Sequence, residues 1–179
     1  AYPCDPQLAQ KYLQLAGYSD ENPLTFDIAV GSAVNKTFAQ IIQAQLKKLG
    51  ITVTVSEYDS AGLSTVTSNR DHDACLYGFG PNAFGSDMER WIDSTSGVNK
   101  SLYHNEAVHE LMVRARGSFD EEERRSCYDR VQQILFDTGA YLPICTGTSY
   151  FAVKKGVSGI EYYPTAMHDF SYIVYQLTE

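Results

Sequence analysis

The chain has 179 residues, 44% of them apolar and 20% charged, with a formal net charge of −8. Those proportions support a buried core and exclude intrinsic disorder, and the length is that of one ordinary domain. The acidic balance makes nucleic acid a poor partner, because basic residues never run beyond a pair, and no apolar run approaches the roughly 20 residues of a membrane-spanning helix.

The N-terminal Ala1-Tyr2-Pro3-Cys4 lacks the basic and apolar regions of an export signal, so any such signal is expected to have been removed or to belong to a longer parent. Asp5-Pro6 then supplies an N-cap with proline at the first helical position. An apolar stripe of Leu8, Tyr12 and Leu15 and a closing Gly17 predict a helix over 6–16. Leu24, Phe26, Ile28 and Val30 alternate with Thr25, Asp27 and Ala29, the period of a strand that Gly31-Ser32 ends. Phe38, Ile41, Ile42, Leu46 and Leu49 return at helical spacing over 36–49, Lys47 and Lys48 complement the helix dipole, and Gly50 stops it. Ile51, Val53 and Val55 open a second strand at once. Strand, helix and strand so closely joined make a βαβ unit with parallel strands, and the fold class is α/β.

A weaker helix around 60–68 leads to a third strand over Asp73–Phe79 and a loop rich in glycine and aromatics. A helix over 105–116 follows, and Ser118-Phe119-Asp120-Glu121 reads as a capping box opening a long acidic helix that ends at Gly139. Tyr141 to Val153 is strand-like with a break near Gly147, and the tail from Val157 is irregular. Neither a linker nor an internal repeat interrupts the chain, so 1–179 reads as a single domain. Cys4, Cys75, Cys127 and Cys145 lack metal-binding or disulfide-scaffold spacing and read as mostly buried thiols. Cys75 with Cys145 is the candidate oxidised pair, since both fall in predicted strands.

In an open α/β sheet the ligand crevice lies beyond the carboxyl ends of the parallel strands. Three segments meet that condition: Val30 to Asn35, Glu57-Tyr58-Asp59, and Gly78 to Phe84. The candidate binding residues are Gly31, Ser32, Asn35, Tyr77, Phe79, Gly80, Pro81, Asn82 and Phe84. Glycine permits close backbone approach and the aromatics offer flat apolar faces, although the same residues also suit a tight turn that plugs the core. Trp91 reads as a packing anchor or a ligand platform. No nucleophile beside a base and no metal-ligand spacing stands out. His104 and His109 are five apart and do not share a helical face, so with Glu106 and Glu110 they read as a solvated surface. Neither a catalytic residue nor a cofactor or metal is expected.

The order of segments carries a resemblance. Tyr2-Pro3-Cys4-Asp5-Pro6 through Leu15-Ala16-Gly17-Tyr18, Gln43 to Val53, Asn105 to Leu111, Asp120 to Arg124, and Tyr128 to Leu135 with Ala140-Tyr141-Leu142-Pro143-Ile144 follow one another as in the second lobe of the family 5 extracellular solute-binding proteins. The resemblance implies a mixed, mainly parallel sheet flanked by helices, the periplasmic-binding-protein type II lobe, in which 162–179 is an irregular tail able to return toward an absent first lobe. It also implies a non-catalytic receptor for an ABC importer permease, monomeric and extracytoplasmic, tethered in the periplasm or at the cell surface through the parent's N-terminus. Its solute would be a peptide, with an oligosaccharide or metal chelate as alternatives.

Where peptide receptors of that family resemble Gly-Trp-x-x-Asp-Tyr, this chain has Gly78-Phe79-Gly80-Pro81-Asn82-Ala83, so a neutral amide replaces the carboxylate that pairs a peptide's ammonium. The missing charge-assisted bond is worth about 1 kcal/mol or more in a dry site. The resemblance also places Asn35 at a position that faces the ligand. Two readings of other classes stand beside the receptor: a hydrolase using Cys127 or Cys145, which needs a histidine within hydrogen-bond reach, and a sensor that has borrowed the receptor fold.

Overall fold

A computed structural model of the chain describes residues 4–78, 86–93, 95–101, 103–148, 150, 152–162, 168–169 and 173–175. The sequence reads as one domain, whereas the backbone clusters into two compact units, Ala1–Gly78 with Lys100–Leu102 and Phe79–Asn99 with Tyr103–Glu179.

The first unit is the α/β one. Asp5 accepts the Leu8 N–H at 2.9 Å and Pro6 opens α1 (Pro6–Leu15). Leu13 packs against the sheet core, and it lies roughly 140° around the helix from Leu8 at 100° per residue. Burying Leu13 therefore turns the stripe of Leu8, Tyr12 and Leu15 away from this core, and Tyr12 and Leu15 are 62% and 72% exposed. The sheet follows from β1 (Thr25–Val30), β2 (Thr52–Glu57) and β3 (Ala74–Cys75), in the order β2-β1-β3. Both neighbours run parallel to β1, with registers from Thr25↔Thr52 to Val30↔Glu57 and from Ile28↔Ala74 to Ala29↔Cys75.

The central strand is buried at Ile28, Ala29 and Val30. α2 (Ala33–Lys47) buries Ala39 completely and presses Ile42 and Leu46 onto the same cluster as Val53. Each Val or Ile so buried contributes about 1.5–3 kcal/mol. Asp59 caps α3 (Ser60–Asn69) by accepting the Gly62 N–H at 2.6 Å. At the entrance to β3, Asp27 and Asp73 each accept the other's backbone N–H, at 2.9 and 3.0 Å. Of the strand expected over Asp73–Phe79, Phe79 lies outside the described residues, and the rest is shorter than expected because β1 ends at Val30 and the ladder loses its partner.

The second unit is helical where its long elements lie. α4 (Ser86–Ile92), hidden in the sequence inside a loop of glycines and aromatics, precedes α5 (Glu106–Gly117) and α6 (Glu121–Thr138). Val108 and Met112 of α5 meet Val131 and Leu135 of α6 and Ile92 of α4 in one buried cluster. Trp91 packs on that cluster and accepts the Tyr141 hydroxyl on its carbonyl at 2.7 Å, which makes it an anchor. α6 is capped by Asp120, whose Oδ1 accepts the N–H groups of Glu122 and Glu123, and it ends at Gly139 with φ +64°. Ser118 is not the cap; its hydroxyl donates to Glu123 at 2.6 Å.

Two further expectations are corrected. Residues 141–148 form no strand and are largely exposed, whereas the tail reckoned irregular contains β4 (Val157–Ser158) paired antiparallel with β7 (Val174–Tyr175), and β5 (Glu161–Tyr162) with β6 (His168–Asp169). The cysteines are free and only Cys127 is fully buried; Cys75 is half-buried in β3, while Cys4 and Cys145 are exposed. Cys145 thus lacks the strand setting that suggested its pairing with Cys75.

Candidate functional site

The carboxyl ends of β1, β2 and β3 lie side by side in the first unit, so the segments that follow them share one rim. Gly31 leaves β1 there, and a Cβ on it would fall 2.6 Å from Leu63 Cδ2, so any larger residue would make the Leu63 side chain shift. Ser32 is the N-cap of α2, its hydroxyl accepting the Asn35 N–H at 3.2 Å. The Asn35 side-chain amide donates to Leu76 O at 2.9 Å, in a partly buried position. Tyr77, next along, is 44% exposed, and no atom would crowd a side chain at Gly78. Of the residues singled out from the sequence, Gly31, Ser32, Asn35 and Tyr77 therefore stand on this rim; Phe79, Gly80, Pro81, Asn82 and Phe84 lie outside the described residues.

An ion pair at the rim was not foreseen. Lys36 Nζ lies 2.6 Å from Glu57 Oε2, joining the first turn of α2 to the last residue of β2. The signal was available, since Lys36 follows a helix cap and Glu57 ends a strand, but only the parallel register brings them together. Both side chains are about half exposed, so the pair stabilises by at most about 1 kcal/mol while leaving a cation and an anion at the surface.

Two carboxyls of the second unit, Asp93 and Glu89, are buried instead. Asp93, 6% exposed, accepts from Thr95 and from His109 Nδ1, which sits 3.1 and 3.2 Å from its two oxygens. Burial pushes this carboxyl up, but the Thr95 backbone and hydroxyl bonds and His109 outweigh it and hold Asp93 below the usual carboxylate range. Glu89, one turn earlier, is 7% exposed with Oε1 unpartnered and Oε2 3.4 Å from Arg116. Burial raises its pKa; Arg116 and Tyr128 pull the other way without prevailing. His109 is thus a packed partner of Asp93 rather than part of a solvated face. His109 lies beside the buried face of α5, formed by Val108, Met112 and Ala115, and the Asp93 that meets it comes from a segment whose helix the sequence hid.

Residues 1–101 match the family model for bacterial extracellular solute-binding proteins, family 5, middle region. The chain belongs to that family. Among curated relatives, di/tripeptide-binding protein 2 of Pseudomonas aeruginosa is 29% identical over 178 residues, covering 95% of this chain and 34% of that protein. A probable D,D-dipeptide-binding periplasmic protein of Escherichia coli is 28% identical over 82% of the chain. Among solved structures, a dipeptide-binding protein from Pseudoalteromonas sp. SM9913 in complex with Met-Leu shares 25% identity and a TM-score of 0.80, covering 96% of this chain and 36% of that one. The fold is also that of NikA from Staphylococcus aureus in complex with Ni(L-His)2, at 20% identity and a TM-score of 0.73 over 90% of this chain and 36% of that one. The chain spans about a third of the length of these family 5 relatives. The α/β class and the solute-binding-protein fold read from the sequence therefore stand.

Proposed function

We propose that the 179 residues serve as one ligand-binding lobe of a family 5 receptor that captures a peptide outside the cytoplasm and delivers it to an ABC importer permease. The observation that carries this reading is the 29% identity to a di/tripeptide-binding protein across 95% of the chain, within a family defined by solute binding rather than by a reaction. The rim of the first unit supports it: parallel strand ends, a helix N-terminus, an exposed tyrosine and an open Gly78 suit a ligand lying across them. Gly31, Ser32 and Tyr77, continued in sequence by Phe79, Gly80, Pro81, Asn82 and Phe84, are the proposed contacts, with Asn35 beside them on the rim, and a companion lobe completes the cleft. In this reading the receptor is a monomer, tethered at the periplasmic or outer face through the N-terminus of its parent, without cofactor or catalytic residue.

The hydrolase alternative is less favoured, because His109 directs Nδ1 at Asp93 and Cys127 is buried beneath the α5–α6 packing. Calorimetry of the native full-length protein against di- and tripeptides, an oligosaccharide panel and a nickel–histidine chelate tests the ligand class. Heat of binding with peptides, weakened by Asn82→Ala, is expected. Binding confined to sugars or to the chelate would replace the peptide reading, and a uniquely fast, acid-shifted cysteine in thiol labelling would favour an enzyme.

A further inference from the structure

β1 ends at Val30, one step before the rung that would carry the Leu76 carbonyl to the N–H of residue 31. The rung below is intact: Leu76 N–H donates to Ala29 O at 3.1 Å, and the Leu76 side chain packs on the sheet core. In the place of the lost rung stands Asn35, whose amide nitrogen reaches Leu76 O at 2.9 Å from the first turn of α2. Only the nitrogen of that amide can serve, since a carbonyl offers no proton. Asn35 is itself anchored, its backbone N–H held by the Ser32 cap at 3.2 Å. Its neighbour Lys36 holds the end of the opposite strand through Glu57 at 2.6 Å. Two consecutive residues of α2 therefore grip the ends of both strands that flank β1.

From this geometry we infer that Asn35 is a positioning residue: one N–H of its amide substitutes for a strand neighbour at Leu76 and fixes where Tyr77 leaves the sheet. The inference rests on the receptor reading for its consequence, specificity at the rim, but the clamp is a property of the chain alone. It differs from the ligand-facing role that the family resemblance gives this position, because one N–H of the amide is committed to Leu76 O.

The test compares wild type with Asn35→Asp and Asn35→Ala in the native full-length protein. Aspartate keeps the helix, since an acid in the first turn complements the dipole, yet it offers Leu76 O no donor. Amide hydrogen exchange without ligand is expected to quicken at Leu76 by about five- to tenfold in both variants, the effect of one neutral hydrogen bond, while exchange in the middle of α2 stays put. Affinity for the dipeptide Met-Leu is expected to fall by a similar factor, about five- to tenfold, with the melting temperature little changed. Unaltered exchange at Leu76 overturns the clamp. Unaltered exchange with lost affinity returns Asn35 to direct contact. A wild type that binds neither Met-Leu nor any other peptide sinks the peptide reading, while the exchange result still decides the clamp.

Discussion

Gly31 shows how a residue noticed for one reason is needed for another. Glycine after a strand suggested close approach of a ligand, but the missing Cβ is what lets Leu63 of α3 lie 2.6 Å from where that atom would be. Leu63 is 92% buried and has little room to give, so Gly31→Ala is expected to cost about 1–3 kcal/mol, read as a lower urea midpoint. An unchanged midpoint would show that Leu63 swings aside freely. Glu89 and Asp93 make a second case, with opposite signs. The lowered Asp93 contributes stability that is full above about pH 4 and is lost as pH falls through its folded value. The raised Glu89 does the reverse: its contribution is full below about pH 4 and is lost as pH rises through its folded value, because ionising the buried carboxyl is penalised. Relative to wild type, Glu89→Gln should therefore gain stability from acid toward neutral pH, and Asp93→Asn should lose it. Melting curves across that range check both; parallel curves for Glu89→Gln would mean that Arg116 already compensates the charge.

At the scale of elements, the caps explain why the helices begin where they do. α6 carries three glutamates in its first turn, placed where the dipole favours them, and Asp120 satisfies two backbone N–H groups there. Removing that side chain in Asp120→Ala should cost about 1 kcal/mol, whereas Ser118→Ala should cost less, since the hydroxyl bonds a side chain and a loop N–H rather than the helix end. Chemical denaturation of the two variants gives the order, and the reverse order would restore Ser118 as the cap. The α5–α6 pair was legible because its apolar residues recur at helical spacing and its caps are in the alphabet of caps. α4 was not, because seven residues are too few to establish a period and its one tryptophan looked the same in a loop.

For the whole molecule, the proposed lobe supplies only part of a cleft. Cleft sites bury most of a ligand's surface, so the 179 residues expressed alone should give no measurable heat with peptides that the full-length protein binds. Tight binding by this chain alone would mean that the site lies wholly within it and that no companion lobe is needed.

By itself the sequence determined the class of the fold, the βαβ unit and the sites of most caps, because these rest on periodicity and on residues that act on neighbours three or four positions away, while the order of its segments carried the resemblance to a solute-binding family. The tertiary structure alone decided what Gly31 accommodates, which face of α1 turns inward, that Lys36 meets Glu57 and Asn35 meets Leu76, and that His109 serves Asp93. Each of these joins residues 16 to 41 positions apart, or sets a helix against a sheet; the register of parallel strands and the packing of helices choose such pairs, and no local spacing encodes them.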